Sequence, residues 1–163
     1  MTAFPAVEDA LFTVFERRAS HHHENTGETL PDTTFQLSVN VQPEKLGIRI
    51  RIVDEYRDGT ASVDVAVLYY WERDVTPEDD LNGFVEETAL PQVLSCASAT
   101  LIDTARSITS DEVPFYGLSG LEGIRKSFRN RKKGLKEILA ESNARRESED
   151  LDADGEGAVD NDK

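Results

Sequence analysis

The chain has 163 residues, 32 of them Asp or Glu against 18 Lys or Arg, with a formal charge of −14 and 38% hydrophobic residues. That length suits one compact domain with tails, and so negative a charge repels nucleic acid and anionic lipid as bulk partners. No apolar run approaches the roughly 20 residues of a membrane-crossing helix, the N-terminus has no basic opening before an apolar stretch, and the lone Cys96 excludes an internal disulfide framework; a cytoplasmic protein is expected.

Taken in chain order, residues 11–15 are strand-like. His21, His22 and His23 follow, but adjacent histidines in an extended segment point in alternating directions and make a poor closed site, so neither a metal nor a cofactor is expected. From Phe35 the chain alternates, with Phe35, Leu37, Val39 and Val41 on one side and Gln36, Ser38, Asn40 and Gln42 on the other, the period of a half-buried strand. Pro43 and Glu44 break the run, and Leu46, Ile48, Ile50 and Ile52 restart it with Arg49 and Arg51 opposite. Asp58-Gly59 signals a hairpin, because the turn needs residues tolerant of positive φ. A further strand spans 61–71, and its second half, 66–71, is apolar or aromatic on both faces. One of those faces meets the protein's own helices; the other implies a subunit interface, a ligand groove or another part of the chain.

Thr76 is a plausible N-cap, with Pro77 after it and Glu78, Asp79 and Asp80 where a helix dipole favours negative charge. The helix stripe is Leu81, Phe84, Val85 and Thr88, interrupted at Pro91 and resumed at Leu94, Ala97, Leu101, Ala105 and Ile108. Cys96 lies near that stripe and reads as a buried, inert thiol; Asp103 and Arg106, one turn apart, read as a surface ion pair, and Glu86 and Glu87 as a solvated face. After the apolar loop 113–118, Leu121, Ile124, Phe128, Leu135 and Ile138 mark another amphipathic segment, weakened at 131–134.

Charge divides the chain into three. Residues 1–124 hold 22 acids and 8 bases, 125–146 hold 2 and 9, and 147–163 hold 8 and 1. Residues 1–124 are expected as an α+β domain, 125–146 as a basic C-terminal helix with a solvated cationic face, and 147–163, with too few apolar residues to offset ordering entropy, as a disordered acidic tail. No phosphate loop, nucleophile elbow or histidine pair at helical metal spacing is present.

The order of elements, together with Pro91-Gln92-Val93-Leu94, Thr104-Ala105-Arg106 and the run Val113-Pro114-Phe115-Tyr116-Gly117-Leu118-Ser119-Gly120-Leu121, resembles the SecB-type protein-export chaperones over about residues 8–130. The chain departs from that pattern at Ser95-Cys96-Ala97, where the family carries an aromatic-proline-tyrosine run, and in its basic last segment. The resemblance implies an α+β fold with a four-stranded antiparallel sheet packed on a long helix and a C-terminal helix. It also implies an ATP-independent, non-enzymatic holdase, a homo-oligomer (tetramer or dimer), whose client is an unfolded protein such as a preprotein or an antitoxin, with the secretion motor a possible partner. Leftover apolar surface at Leu68, Tyr70 and Trp71 and at Phe115, Tyr116 and Leu118 is where a client groove is expected. Two alternatives stay open: an adaptor of the same fold that binds one folded partner, and a small-molecule site using Arg49, Arg51 and the carboxylates.

Overall fold

The two-residue alternation of the central segments builds an antiparallel sheet in the computed structural model, which describes residues 4–21, 33–110 and 112–155. β1 (Val7–His21), β2 (Thr33–Gln42), β3 (Lys45–Tyr56) and β4 (Gly59–Trp71) lie in the order β1-β4-β3-β2, each neighbouring pair antiparallel. His22, His23 and residues 156–163 of the expected tail lie outside the described residues. β1 runs well beyond the expected 11–15. Its irregularity at Val14/Glu16 turns Phe15 and Glu16 to the same face, which breaks the alternation a sequence reading relies on.

The hairpin between β3 and β4 turns at Arg57 and Asp58, one residue before the expected position. Gly59 serves a different end: a Cβ there would stand 2.2 Å from the Ser20 carbonyl oxygen, so glycine is what lets β1 lie against the start of β4.

One sheet face is dry. Leu46, Ile48, Ile50 and Ile52 of β3 and Val63, Val65, Val67 and Tyr69 of β4 are fully buried beneath the helices, each such side chain contributing about 1.5–3 kcal/mol of transfer free energy. The helical layer begins later than the sequence suggests. Thr76 does not cap a helix; its amide and hydroxyl donate to Asp79 Oδ2 at 2.8 and 3.0 Å, closing a turn, and Asp80 caps α1 (Leu81–Phe84) by accepting from the Gly83 amide. The helix continues through a π turn (Val85–Ala89) into α2 (Leu90–Ala105). Pro91 therefore sits inside one continuous helix without breaking it. The Leu90 amide reaches back five residues to the Val85 carbonyl, and Pro91, next in line, has no N–H to offer Glu86.

α2 buries Leu90, Val93, Leu94, Ala97, Ser98, Leu101, Thr104 and Ala105 on β3 and β4, the expected stripe with its neighbours. Cys96 is half-buried at its side. α3 (Leu118–Arg129) and α4 (Leu135–Gly155) follow, separated at 130–134 where the amphipathic pattern weakens, and both lie over β2. α4 continues past Arg146 into the stretch expected as a disordered tail, as far as Gly155. The architecture is α+β: a four-stranded antiparallel sheet carrying a long helix and a C-terminal helix pair on one face.

Candidate functional site

The six residues expected to bind a client, three in a strand and three in the apolar loop, are distributed over two faces and two ends of the sheet. Trp71 points inward, is 5% exposed, and packs in an aromatic cluster with Phe4, Tyr69 and Phe84 at centroid distances of 5.0–6.3 Å. Leu68 and Tyr70, its neighbours in the strand, are half-buried on the opposite, outer face. Tyr116 lies at the other end, its ring edge-on to Phe35 and its hydroxyl bonded to Asp54. Asp54 pairs in register with Ala61, nine residues along β4 from Tyr70, a span of about 30 Å. Phe115 beside Tyr116 is 56% exposed, and Leu118 opens α3.

Two apolar depressions result. On the outer face Leu68 joins Leu11, Phe15, Gly47 and Ala66 around a shallow hollow of about 310 Å³. Arg49 crosses it, its guanidinium carbon 4.5 Å from the centre of the Phe15 ring. That guanidinium forks onto Asp64 at 2.7 and 2.6 Å, while Arg51 faces Glu16 at 3.6 Å, so the two arginines weighed for a small-molecule pocket already have carboxylate partners.

The larger depression, about 770 Å³, lies on the inner face, where Leu37 and Val39 of β2 meet Phe128 at the end of α3 and Ile138 in α4. β2 has a strand on one side only. The row Phe35, Leu37, Val39 runs from Tyr116 into this groove, so Phe115 and Tyr116 stand at one end of it. Arg131, Lys132 and Lys133 form its rim, and among the described residues no carboxylate lines it. Arg131 is fixed there: its guanidinium carbon stands 3.8 Å from the Phe128 ring centre, and it donates to the Phe128 carbonyl and to Asn82 Oδ1, both at 2.7 Å. Lys133 pairs with Glu141, and Lys132 makes no ion pair among the described residues.

The basic block is only partly a solvated face. Arg125 donates through Nε and Nη2 to the Glu86 carbonyl, at 3.2 and 3.0 Å, the acceptor that Pro91 leaves unused. Arg129 forks onto the Glu86 carboxylate and holds it below the usual carboxylate range. Glu86 is thus a docking point for α3 rather than a solvated acid, and Asp103 pairs with Arg17 of β1 rather than with Arg106. Burial pushes the Tyr69 hydroxyl up to about 12; it donates to Gln92 at 2.7 Å. Sequence reasoning missed Leu37, Val39, Phe128 and Ile138 as a groove because each reads as an ordinary core position. The break at 130–134 that opens the space was the available signal.

Among the described residues no group of three or more His, Cys, Asp or Glu is placed to hold a metal ion, and no helix is long and apolar enough to cross a membrane. No protein-family model matches the sequence, and neither does any curated protein. Among solved structures the chain is similar to the SecB-like chaperone Rv1957 of Mycobacterium tuberculosis, in complex with a ChAD peptide from the Rv1956 HigA1 antitoxin. The TM-score is 0.47 at 17% identity, covering 68% of this chain and 88% of that one.

Proposed function

We propose that this protein binds unfolded or partly folded polypeptides in extended form, as an ATP-independent chaperone that catalyses no reaction, in the groove between β2 and the α3–α4 turn. The supporting observation is an edge strand lying beside an apolar floor. An extended segment added to β2 gains backbone hydrogen bonds whatever its sequence, and Leu37, Val39, Phe128 and Ile138 receive alternate side chains. Phe35, Tyr116 and Phe115 prolong the track, and Leu68 and Tyr70, with Leu11 and Phe15, offer a second apolar surface on the outer face. A preprotein or an antitoxin in the cytoplasm is a client of the kind the SecB resemblance implies.

The working form is a homo-oligomer. β1 is an edge strand that exposes Val7, Leu11, Phe12, Val14 and Phe15 on both faces, an apolar rim that a second copy would cover. A denatured, unrelated protein diluted into nucleotide-free buffer tests the chaperone reading. A several-fold excess of this protein should suppress light scattering, and Leu37→Glu, with unchanged far-UV circular dichroism, should suppress it less. Unchanged scattering with the wild-type chain overturns the proposal.

A further inference from the structure

Building on the groove assigned above, we infer that it selects acidic client segments: extended stretches in which Asp or Glu flank alternating apolar residues. The molecule as a whole carries −14, and on net charge alone it would favour basic clients. The groove has the opposite local sign. Arg131, Lys132 and Lys133 stand on its rim, and among the described residues no carboxylate lines it. Of the nearby acids, Glu86 is paired with Arg129, Glu137 accepts from the Gly134 amide at 3.3 Å, and Glu141 pairs with Lys133, so Arg131 and Lys132 are the rim cations without a carboxylate partner among the described residues.

At physiological ionic strength the screening length is about 8 Å, so a segment lying in the groove senses the rim and little of the acidic surface elsewhere. Arg131 is positioned for this role. Its stacking on Phe128 and its two hydrogen bonds hold a cation at the boundary between apolar floor and water without side-chain ordering on binding. The apolar floor favours a polypeptide over a nucleic acid, because the ring beside the basic rim, Phe128, is 2% exposed and covered by Arg131 and offers a base no face to stack on, while the exposed Phe115 lies at the other end of the track. The chain's own end, 147–163, shares the acidity of the inferred client but not its alternating apolar residues. α4 also leads away from the rim: Ser142, Arg145 and Arg146 lie beside Gln42 and Glu44, at the far end of β2.

The test uses three fluorescein-labelled peptides of about 15 residues with one shared apolar spacing and flanking Glu, Ser or Lys, read by anisotropy on the full-length protein. The Glu peptide should bind about ten-fold more tightly than the Lys peptide. That preference should shrink several-fold between about 50 and about 300 mM salt. Lys132→Glu/Lys133→Glu should reverse the order of the two peptides, whereas Lys126→Glu/Lys136→Glu, which changes net charge equally at helix positions off the groove, should preserve it. Equal binding of all three peptides, or reversal by both double variants, overturns the selectivity and leaves the groove standing. Failure of all three to bind overturns the groove itself. Binding of a single-stranded oligonucleotide in place of the Glu peptide assigns the rim to nucleic acid and overturns the inference. Appearance of Glu-peptide binding only after deletion of 147–163 makes the chain's own end the occupant and overturns it equally.

Discussion

At the scale of single residues, the apolar loop is held to the sheet by one buried acid. Asp54, 2% exposed, accepts from Thr33 Oγ1 at 2.7 Å, Tyr56 Oη at 2.6 Å and Tyr116 Oη at 2.8 Å. A buried acceptor with three donors is strongly favoured, and removing it strands the donors. Asp54→Ala should cost about 3 kcal/mol and Tyr116→Phe about 1–2 kcal/mol in urea unfolding. Burial first, and the Asp54 carboxylate after it, raises the Tyr56 phenol well above its ordinary value, and burial does the same for Tyr116. In the unfolded chain these phenols lose their protons near pH 10 while the folded protein keeps them. Stability should therefore be level to about pH 9 and fall above about pH 10, and Tyr116→Phe should flatten that fall. None of this was legible beforehand. Asp54 and Tyr116 are 62 residues apart, and a Tyr in a proline-led apolar loop reads as surface until the sheet end is placed beneath it.

At the scale of elements, regular periodicity was legible and its interruptions were not. The alternation at Phe35, Leu37, Val39 and Val41 and at Leu46, Ile48, Ile50 and Ile52 marks β2 and β3 because one face of each is turned toward the helices, buried in β3 and half-buried along β2, and the other toward solvent. β1 extends past the expected 11–15 at both ends, and register irregularities at Val7/Asp9 and Val14/Glu16 interrupt the alternation that would mark it, the second placing Phe15 and Glu16 on the same face. Thr76 and Pro77 look like a helix start, yet Asp79 takes the Thr76 amide, hydroxyl and the Arg73 fork into a turn that local rules do not distinguish from a cap. That fork, with the Thr76 bonds, holds the Asp79 carboxyl well below the usual range. Its folded value is depressed, so its stabilisation is complete above about pH 5 and is lost as pH falls below about 4. Asp79→Asn should be less stable than wild type at pH 7, and the gap should narrow at pH 3, measured by urea unfolding. The π turn and Pro91 leave the Glu86 carbonyl without a helical donor, and Arg125 supplies one from α3. Arg125→Ala should cost about 1–2 kcal/mol, with faster amide exchange in 118–129 as the specific sign that α3 has loosened.

At the scale of the whole molecule, the strand residues expected to bind a client lie on both faces of the sheet because neighbouring strand residues face opposite ways: Tyr70 is outward and Trp71 inward. The charge divides as well, acidic over residues 1–124 and basic at 125–146, with Arg131, Lys132 and Lys133 beside the inner groove. β1 leaves Phe12 51% and Phe15 57% exposed, an apolar rim of the kind a second copy would cover under the proposed reading. Light scattering should give a mass of a dimer or tetramer, and Phe12→Glu/Val14→Glu should give a folded monomer; a monomeric wild type removes β1 as an interface. Polypeptide binding along β2 is tested most directly by amide hydrogen exchange with and without an unfolded client. Protection should rise in 33–42 and in 127–138. Protection confined to the outer-face residues 11–15 and 66–70, or none at all, contradicts the groove.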